Sequence, residues 1–267
     1  MRSIFLADAH LKAATDDNYL LLQSFLHELE GKTDTLYIMG DLFDFWVGFP
    51  SNPFRQFDNV LDSLERLVSR GCRLVYFEGN HDFHLGQVFS ERLRAEIHSG
   101  PAMMTVQGKR LYLCHGDQIN KNDRYYRLLR QILRSRMIAS SVDYIPPSWA
   151  LKVKKRLQRR SQAAYQVKKA RWDYRKILLN FARQIQLQGC DGLVAGHFHL
   201  ALLEKLDGRP FTLLSLGDWM GQYTYGEMLD GELRLMTYPT SALNQQPEDA
   251  TTFRRTPPEP AVRPVRP

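Results

Sequence analysis

Short apolar runs followed by stretches with helical spacing set the rhythm of the first eighty residues. Ser3-Ile-Phe-Leu-Ala7, Thr35-Leu-Tyr-Ile-Met39 and Arg73-Leu-Val-Tyr-Phe77 read as buried strands. Between them, Leu20, Leu21, Phe25 and Leu29 share a helical face within Asp17–Glu30. After a loop at Gly48–Pro53, Val60, Leu61, Leu64, Leu67 and Val68 do the same. Strands that are apolar throughout and alternate with helices predict a largely parallel sheet covered on both faces. The second half changes character. Thr105-Val106 and Leu111–Cys114 flank Gln107-Gly108-Lys109 and predict a hairpin. Residues 121–188 are helical in composition, with a break near Pro146-Pro147. Leu193–Ala195, Leu202–Leu206, Phe211–Leu216, Tyr223–Leu229 and Leu233–Tyr238 finish the chain as strands, with Asp207-Gly208 and Asp230-Gly231 as turns.

Composition adds two facts to this outline. The 267-residue chain contains no apolar run near the ~20 residues of a membrane-spanning helix, and its start turns polar too soon for a secretory signal. Cys72, Cys114 and Cys190 form neither a disulfide framework nor a C-x-x-C pair, which fits a reducing cytoplasm, and the apolar surroundings of Cys72 and Cys114 predict buried thiols there. The charge is uneven. Residues 121–183 hold 18 of the 36 Lys and Arg with three acids (Asp123, Asp143, Asp173), leaving 18 basic residues against 26 acidic ones elsewhere. The last 27 residues hold six of the 13 prolines and read as a disordered tail.

The chemistry lies in five strings that follow strand-like runs: Asp8-Ala-His10, Gly40-Asp41-Leu-Phe-Asp44, Gly79-Asn80-His81-Asp82, His115-Gly-Asp117 and Gly196-His197-Phe-His199. Five of the eight histidines fall inside them. Oxygen donors mixed with imidazoles suit divalent first-row metals, and strand ends can gather them into one crevice. Alone, Asp41 reads as a turn or helix cap, and His10, His115 or His199 as satisfied core histidines. The joint pattern favours a two-metal hydrolytic site. Asp41 is the candidate bridge. Asp8, His10 and one histidine of the last string can complete one metal; Asn80, His115 and the other histidine can complete the second. Asp44, Asp82 and Asp117 are candidates to orient the ligands, with plain turn residues as the alternative. His81 is better placed for substrate phosphate or leaving group than for metal.

D-x-H, G-D-x-x-D, G-N-H-D, H and G-H-x-H in this order resemble the calcineurin-like metallophosphoesterase superfamily, over roughly residues 1–240. The resemblance implies a four-layered α/β sandwich binding two divalent ions, with Mn²⁺ expected. Asp8, His10, Asp41 and His199 would hold one ion, and Asp41, Asn80, His115 and His197 the other. A narrower resemblance rests on Gly40-Asp-Leu-Phe-Asp-Phe-Trp46-Val-Gly48, on Asp123 to Tyr126 after His115-Gly-Asp117, on the basic insertion and on Leu216-Gly-Asp-Trp219. These are similar to the UDP-2,3-diacylglucosamine hydrolase family of lipid A synthesis. That resemblance implies cleavage of a nucleotide-linked diacyl glycolipid to UMP and a diacylglucosamine 1-phosphate, at the cytoplasmic face of the cell membrane. It makes Trp46, Asp123, Lys168 and Arg171 candidate substrate contacts. His81 stands where well-known members carry Arg.

The basic segment interleaves Trp149, Val153 and Leu157 with Lys152, Lys154, Lys155, Arg156, Arg159 and Arg160, and Trp172, Ile177 and Leu178 with Arg171, Arg175 and Lys176. A solvated helix with one packed face accounts for part of this. A basic amphipathic surface also suits an anionic membrane, and an insertion between His115 and His197 suits a lid meeting diphosphate and acyl chains. The expected organisation is one domain over 1–240 with 121–188 as helical lid, and a tail over 241–267. Nucleic acid is not expected as a partner, and no stable protein partner is implied. The alternative activity is on soluble nucleotides, phosphoesters or nucleic acid. A metal-free interaction module would have no need of seven ligands.

Overall fold

A computed structural model describes residues 1–49, 54–135 and 171–241. Two sheets pack face to face. The first has the order β11-β10-β1-β2-β3-β4, formed by β11 (Glu232–Thr237), β10 (Thr224–Leu229), β1 (Arg2–Leu6), β2 (Thr35–Ile38), β3 (Arg73–Phe77) and β4 (Glu96–His98). The second has the order β5-β6-β7-β9-β8, from β5 (Ala102–Val106), β6 (Lys109–Cys114), β7 (Gly192–Ala195), β9 (Phe211–Leu216) and β8 (Ala201–Leu206). Strands β1 to β4 run parallel, as do β6, β7 and β9.

Alternation within each strand builds the layers. Phe5, Tyr37, Val75 and Phe77 face the second sheet, where Leu111, Leu113, Val194, Leu214 and Leu216 meet them; Phe5 stacks on Tyr37 with ring centroids 4.7 Å apart. Their neighbours Ile4, Leu6, Leu36, Ile38, Leu74 and Tyr76 face the other way, under α1 (Asp17–Leu29) and α2 (Asp58–Ser69). Cys114, Leu193, Ala195 and Leu213 pack beneath the fourth layer, Leu178, Ala182 and Ile185 of α4 (Tyr174–Leu187). The layers are therefore helix, sheet, sheet, helix. The strands read as continuous apolar runs because both of their faces are buried, one against helices and the other against a second sheet.

The hairpin at Gln107-Gly108 is present, with both residues at positive φ (47° and 77°) and antiparallel pairing from Ala102↔Leu113 to Val106↔Lys109. Strand β4, three residues with one aliphatic side chain (Ile97), lengthens the first sheet beyond the expected strands. Of the insertion, α3 (Arg124–Leu133) and α4 are described; the segment carrying Trp149, Val153, Leu157 and Lys168 lies outside the described residues, as does the tail beyond 241. All three cysteines are buried and free.

Candidate metal centre

All five strings sit at the carboxyl ends of parallel strands: Asp8 and His10 after β1, Asp41 after β2, Asn80 and His81 after β3, His115 after β6, His197 and His199 after β7. Their loops interlock. Asp8 N–H donates to the Gly40 carbonyl (3.1 Å), His10 N–H to the Asp41 carbonyl (3.0 Å), and Gly196 N–H to the His115 carbonyl (2.8 Å). The backbone is strained where the chemistry is. Asp8, His10, Asp41, His197 and His199 all have φ between 45° and 70°, a region costing a non-glycine residue on the order of 1–3 kcal/mol. Gly79 has no such option of a side chain, since a Cβ there would collide with the Asp41 carboxylate.

Two clusters result. In the first, His10 Nε2 and His199 Nε2 each lie 3.8 Å from Asp8 Oδ1. Asp8 Oδ2 accepts the His197 N–H at 2.7 Å, while Asp8 Oδ1 and His10 Nε2 are buried with no hydrogen-bond partner. Two orphaned, buried acceptor-type atoms facing each other are costly unless a cation lies between them. Ligands about 2.0–2.2 Å from a shared ion stand roughly 3–4 Å apart, so the spacing fits.

In the second cluster His115 Nδ1 must donate to the Met39 carbonyl (2.8 Å), because a carbonyl only accepts. That fixes Nε2 as the atom facing Asn80 Oδ1 at 3.0 Å and Asp41 Oδ2 at 3.5 Å. His197 Nδ1 reaches the same Asn80 Oδ1 at 2.9 Å. Imidazole nitrogens converging on two acceptor oxygens need a proton or a metal between them. Asp41 Oδ1 is committed to the His81 N–H (2.8 Å), and its Oδ2 lies 3.6 Å from His10 Nε2. One carboxylate oxygen thus touches both clusters.

The sequence model for calcineurin-like phosphoesterases matches residues 1–201. The chain belongs to that family. Among curated proteins it is similar to UDP-2,3-diacylglucosamine hydrolases. That of Nitrosococcus oceani is 33% identical over 82% of this chain and 88% of its own length. That of Neisseria meningitidis serogroup B is 30% identical over 85% and 94%, and that of Aeromonas salmonicida 29% identical over 91% and 96%. This phosphoesterase is a metal-dependent hydrolase, and its His and Asp clusters suit divalent ions.

Electrostatics differ across the phosphoesterase's site. Burial pushes the Asp8 carboxyl up to about 6 and drives His10 well below the usual imidazole value. Burial also works against charge on Asp41, but the nearby His115, His81 and His10 hold it well below the carboxylate range. Against its own burial, the Asp41 charge lifts His115 to about 10. Burial, with His115 beside it, lowers His197 to about 3. Partial burial opposes charge on His199, yet Asp8 and Asp218 raise it.

The remaining expected residues fall in different places. Asp82, 0% exposed, accepts the N–H groups of Asp41 (2.9 Å), Leu42 (2.7 Å) and Gly79 (2.9 Å) and the Tyr76 hydroxyl (2.6 Å). Burial and the Asp41 charge push its carboxyl up to about 7. Asp44 is buried; its carbonyl accepts from His81 Nδ1 at 2.8 Å, and its carboxylate groups with His10 and His81. Asp117 accepts from Arg130 at 2.6 Å. Trp46 is not at a surface where a substrate contact was expected. It is 1% exposed among Phe43, Phe54, Phe57 and Phe89, its indole N–H donating to the Leu85 carbonyl, because a ring flanked by that many aromatics gains most by burial. Asp123 precedes α3, where its carbonyl accepts the Arg127 N–H. Arg171 is exposed, its guanidinium 6.0 Å from the Trp172 ring centroid. Sequence reasoning assigned no role to Asp218, which accepts three backbone N–H groups and lies 3.7 Å from His199 Nδ1. The signal was available: Leu216-Gly-Asp218 is another strand followed by Gly-Asp.

Proposed function

We propose that this phosphoesterase hydrolyses UDP-2,3-diacylglucosamine at its pyrophosphate, giving UMP and 2,3-diacylglucosamine 1-phosphate. The observation that carries the chemistry is Asp41 Oδ2, within 3.6 Å of a ligand atom in each cluster. Asp8, His10, Asp41 and His199 hold one ion, Asp41, Asn80, His115 and His197 the other, and Mn²⁺ is the ion expected. Two such ions supply Lewis acidity toward phosphoryl oxygens and a lowered pKa for the attacking water. His81 donates its Nδ1–H to the Asp44 carbonyl, and in its imidazolium form would carry on Nε2 the proton handed to the leaving phosphate oxygen. Asp82, Asp44, Asp117 and Asp218 hold the loops and rings in register.

Relatives named as UDP-2,3-diacylglucosamine hydrolases and matched along 88–96% of their length support this substrate. A basic insertion suits a diphosphate and an anionic membrane surface. Among the described residues no helix is long and apolar enough to cross a membrane, and the proposed location is peripheral, on the cytoplasmic face. We place the phosphoesterase domain at 1–240, with 121–188 as lid and 241–267 as tail. The test is UMP release from UDP-2,3-diacylglucosamine by Mn²⁺-loaded protein beside p-nitrophenyl phosphate hydrolysis. Efficient lipid cleavage supports the proposal; turnover of the aryl phosphate alone favours the soluble-phosphoester reading, for which His81 in place of Arg speaks. In the same assay, replacing Trp149 and Trp172 by Ala should weaken vesicle binding and raise KM for the lipid alone.

A further inference from the structure

Two of the insertion's cations point inward. On α3 and the turn that follows it, Leu128 and Ile132 are 58% and 53% exposed, whereas the Arg130 and Arg134 side chains are only 17% and 10% exposed. The helix thus turns a charged face, four residues apart, toward the domain. What that face touches is the ligand loops. Arg134 Nη2 donates to the Gly79 carbonyl at 2.6 Å and the Glu78 carbonyl at 3.1 Å. Its Nη1 donates to the Ser99 carbonyl and lies 3.5 Å from Glu78 Oε2. Arg130 Nε donates to Asp117 Oδ2 at 2.6 Å, and its Nη2 to the Ser99 carbonyl at 3.4 Å.

Along the chain these attachment points adjoin Asn80 and His115, ligands of the second cluster. The Gly79 carbonyl belongs to the peptide that continues into Asn80, and the preceding Glu78–Gly79 peptide is held by Arg134 at its carbonyl and by Asp82 Oδ1 at its N–H (2.9 Å). Asp117 is two residues from His115. Asn80 and His115 meet at 3.0 Å in the second cluster. The side-chain donors of Arg130 and Arg134 go to Glu78, Gly79, Ser99 and Asp117. A planar fork with five donors can serve several carbonyls at once; an ammonium on a flexible stem cannot match it.

We propose that Arg134, assisted by Arg130, is a positioning residue for the second ion. It fixes the Gly79–Asn80 peptide, so that Asn80 Oδ1 is presented to the ion beside His115 and His197, and leaves the first cluster to be organised without it. The inference rests on the two-ion reading above. Partners one shell out from a metal typically change its affinity about 10–100-fold.

The experiment is calorimetric titration of the metal-free, full-length protein with Mn²⁺, the two steps being assigned with His197→Ala and His199→Ala. Arg134→Gln should weaken the Asn80–His115–His197 step by about 10–100-fold and leave the other within a factor of about three, and lost turnover should return at high Mn²⁺. Arg134→Lys should resemble Arg134→Gln, because charge without the fork does not restore the geometry. Unchanged affinities in a folded variant, or equal weakening of both steps, would overturn the inference and leave α3 a merely docked helix. If Arg134→Gln does not fold, Arg134→Lys decides by the same criteria. A wild-type protein that takes up one ion overturns the two-ion reading and this inference with it; two ions bound alike by wild type and variant overturn this inference alone.

Discussion

The two ligand clusters use similar side chains and solve the electrostatic problem in opposite ways. The Asp8–His10–His199 cluster leaves buried atoms without partners, Asp8 Oδ1 and His10 Nε2, and burial pushes the one toward protonation and the other toward neutrality. The Asp41–Asn80–His115–His197 cluster closes on itself, and Asp41 keeps a proton on His115 up to about pH 10. The first sets two unpaired polar atoms in a buried crevice. The second links its atoms through a proton that Asp41 holds on His115. The lesson is that the cost of burying a ligand set shows in which of its atoms lack hydrogen bonds.

The comparison breaks most completely at Asp41, the residue common to both clusters. Asp41→Ala should cut turnover by roughly a thousandfold or more, consistent with several kcal/mol of metal-supplied charge stabilisation, and lower the metal content of a protein that stays folded. Metal analysis beside circular dichroism checks this; near wild-type turnover would refute the bridging role. His81→Ala should lower turnover by roughly 10²–10⁴-fold with both ions retained, and loss of an ion would show that His81 belongs to the ligand set.

Smaller effects should separate the clusters. Asp218→Asn, beside His199, should weaken the first ion by about 10–100-fold and spare the second, as read by the same two-step titration. The protonation difference gives a pH test. His115 must shed its proton to accept an ion, so affinity at the second cluster should climb from neutral pH toward about 10, with proton release visible as buffer-dependent binding heat. In the first cluster His10 is already neutral and adds no such climb, whereas His199, raised by Asp8 and Asp218, adds one, so the distinction lies in the climb toward about 10 that His115 gives the second ion. Equal slopes for the two ions would erase the distinction.

Much of this was legible in the chain because ligands that follow strands are also marked by short-range glycine patterns. Asp8, His10, Asp41, Asn80, His115, His197 and His199 do converge, since parallel strands in both sheets end on the same side of the molecule. The sheet-on-sheet layer was not legible from periodicity. Phe5 and Leu6 face different layers, yet both are apolar, so a period of two leaves no trace. Strand β4 was missed because three residues with a single aliphatic side chain resemble any loop; its hydrogen bonds to β3 make it a strand. Trp46 was read as a substrate contact because aromatics beside a motif suit a ligand equally well, and only the surrounding rings reveal it as packing. Arg130 and Arg134 were counted with the surface charge, since composition records charge and not direction.

Each cluster draws donors from both sheets: Asp8, His10, Asp41 and Asn80 from the first, His115, His197 and His199 from the second. An ion seated in either is therefore a clasp across the open end of the seam between them. The apolar layer of Phe5, Tyr37, Leu214 and Leu216 closes the rest of that seam, and the clasp sets the sliding position at which it closes. Any substitution that shears one sheet past the other would change the spacing of donors drawn from both, and so would be expected to show as a change in metal affinity.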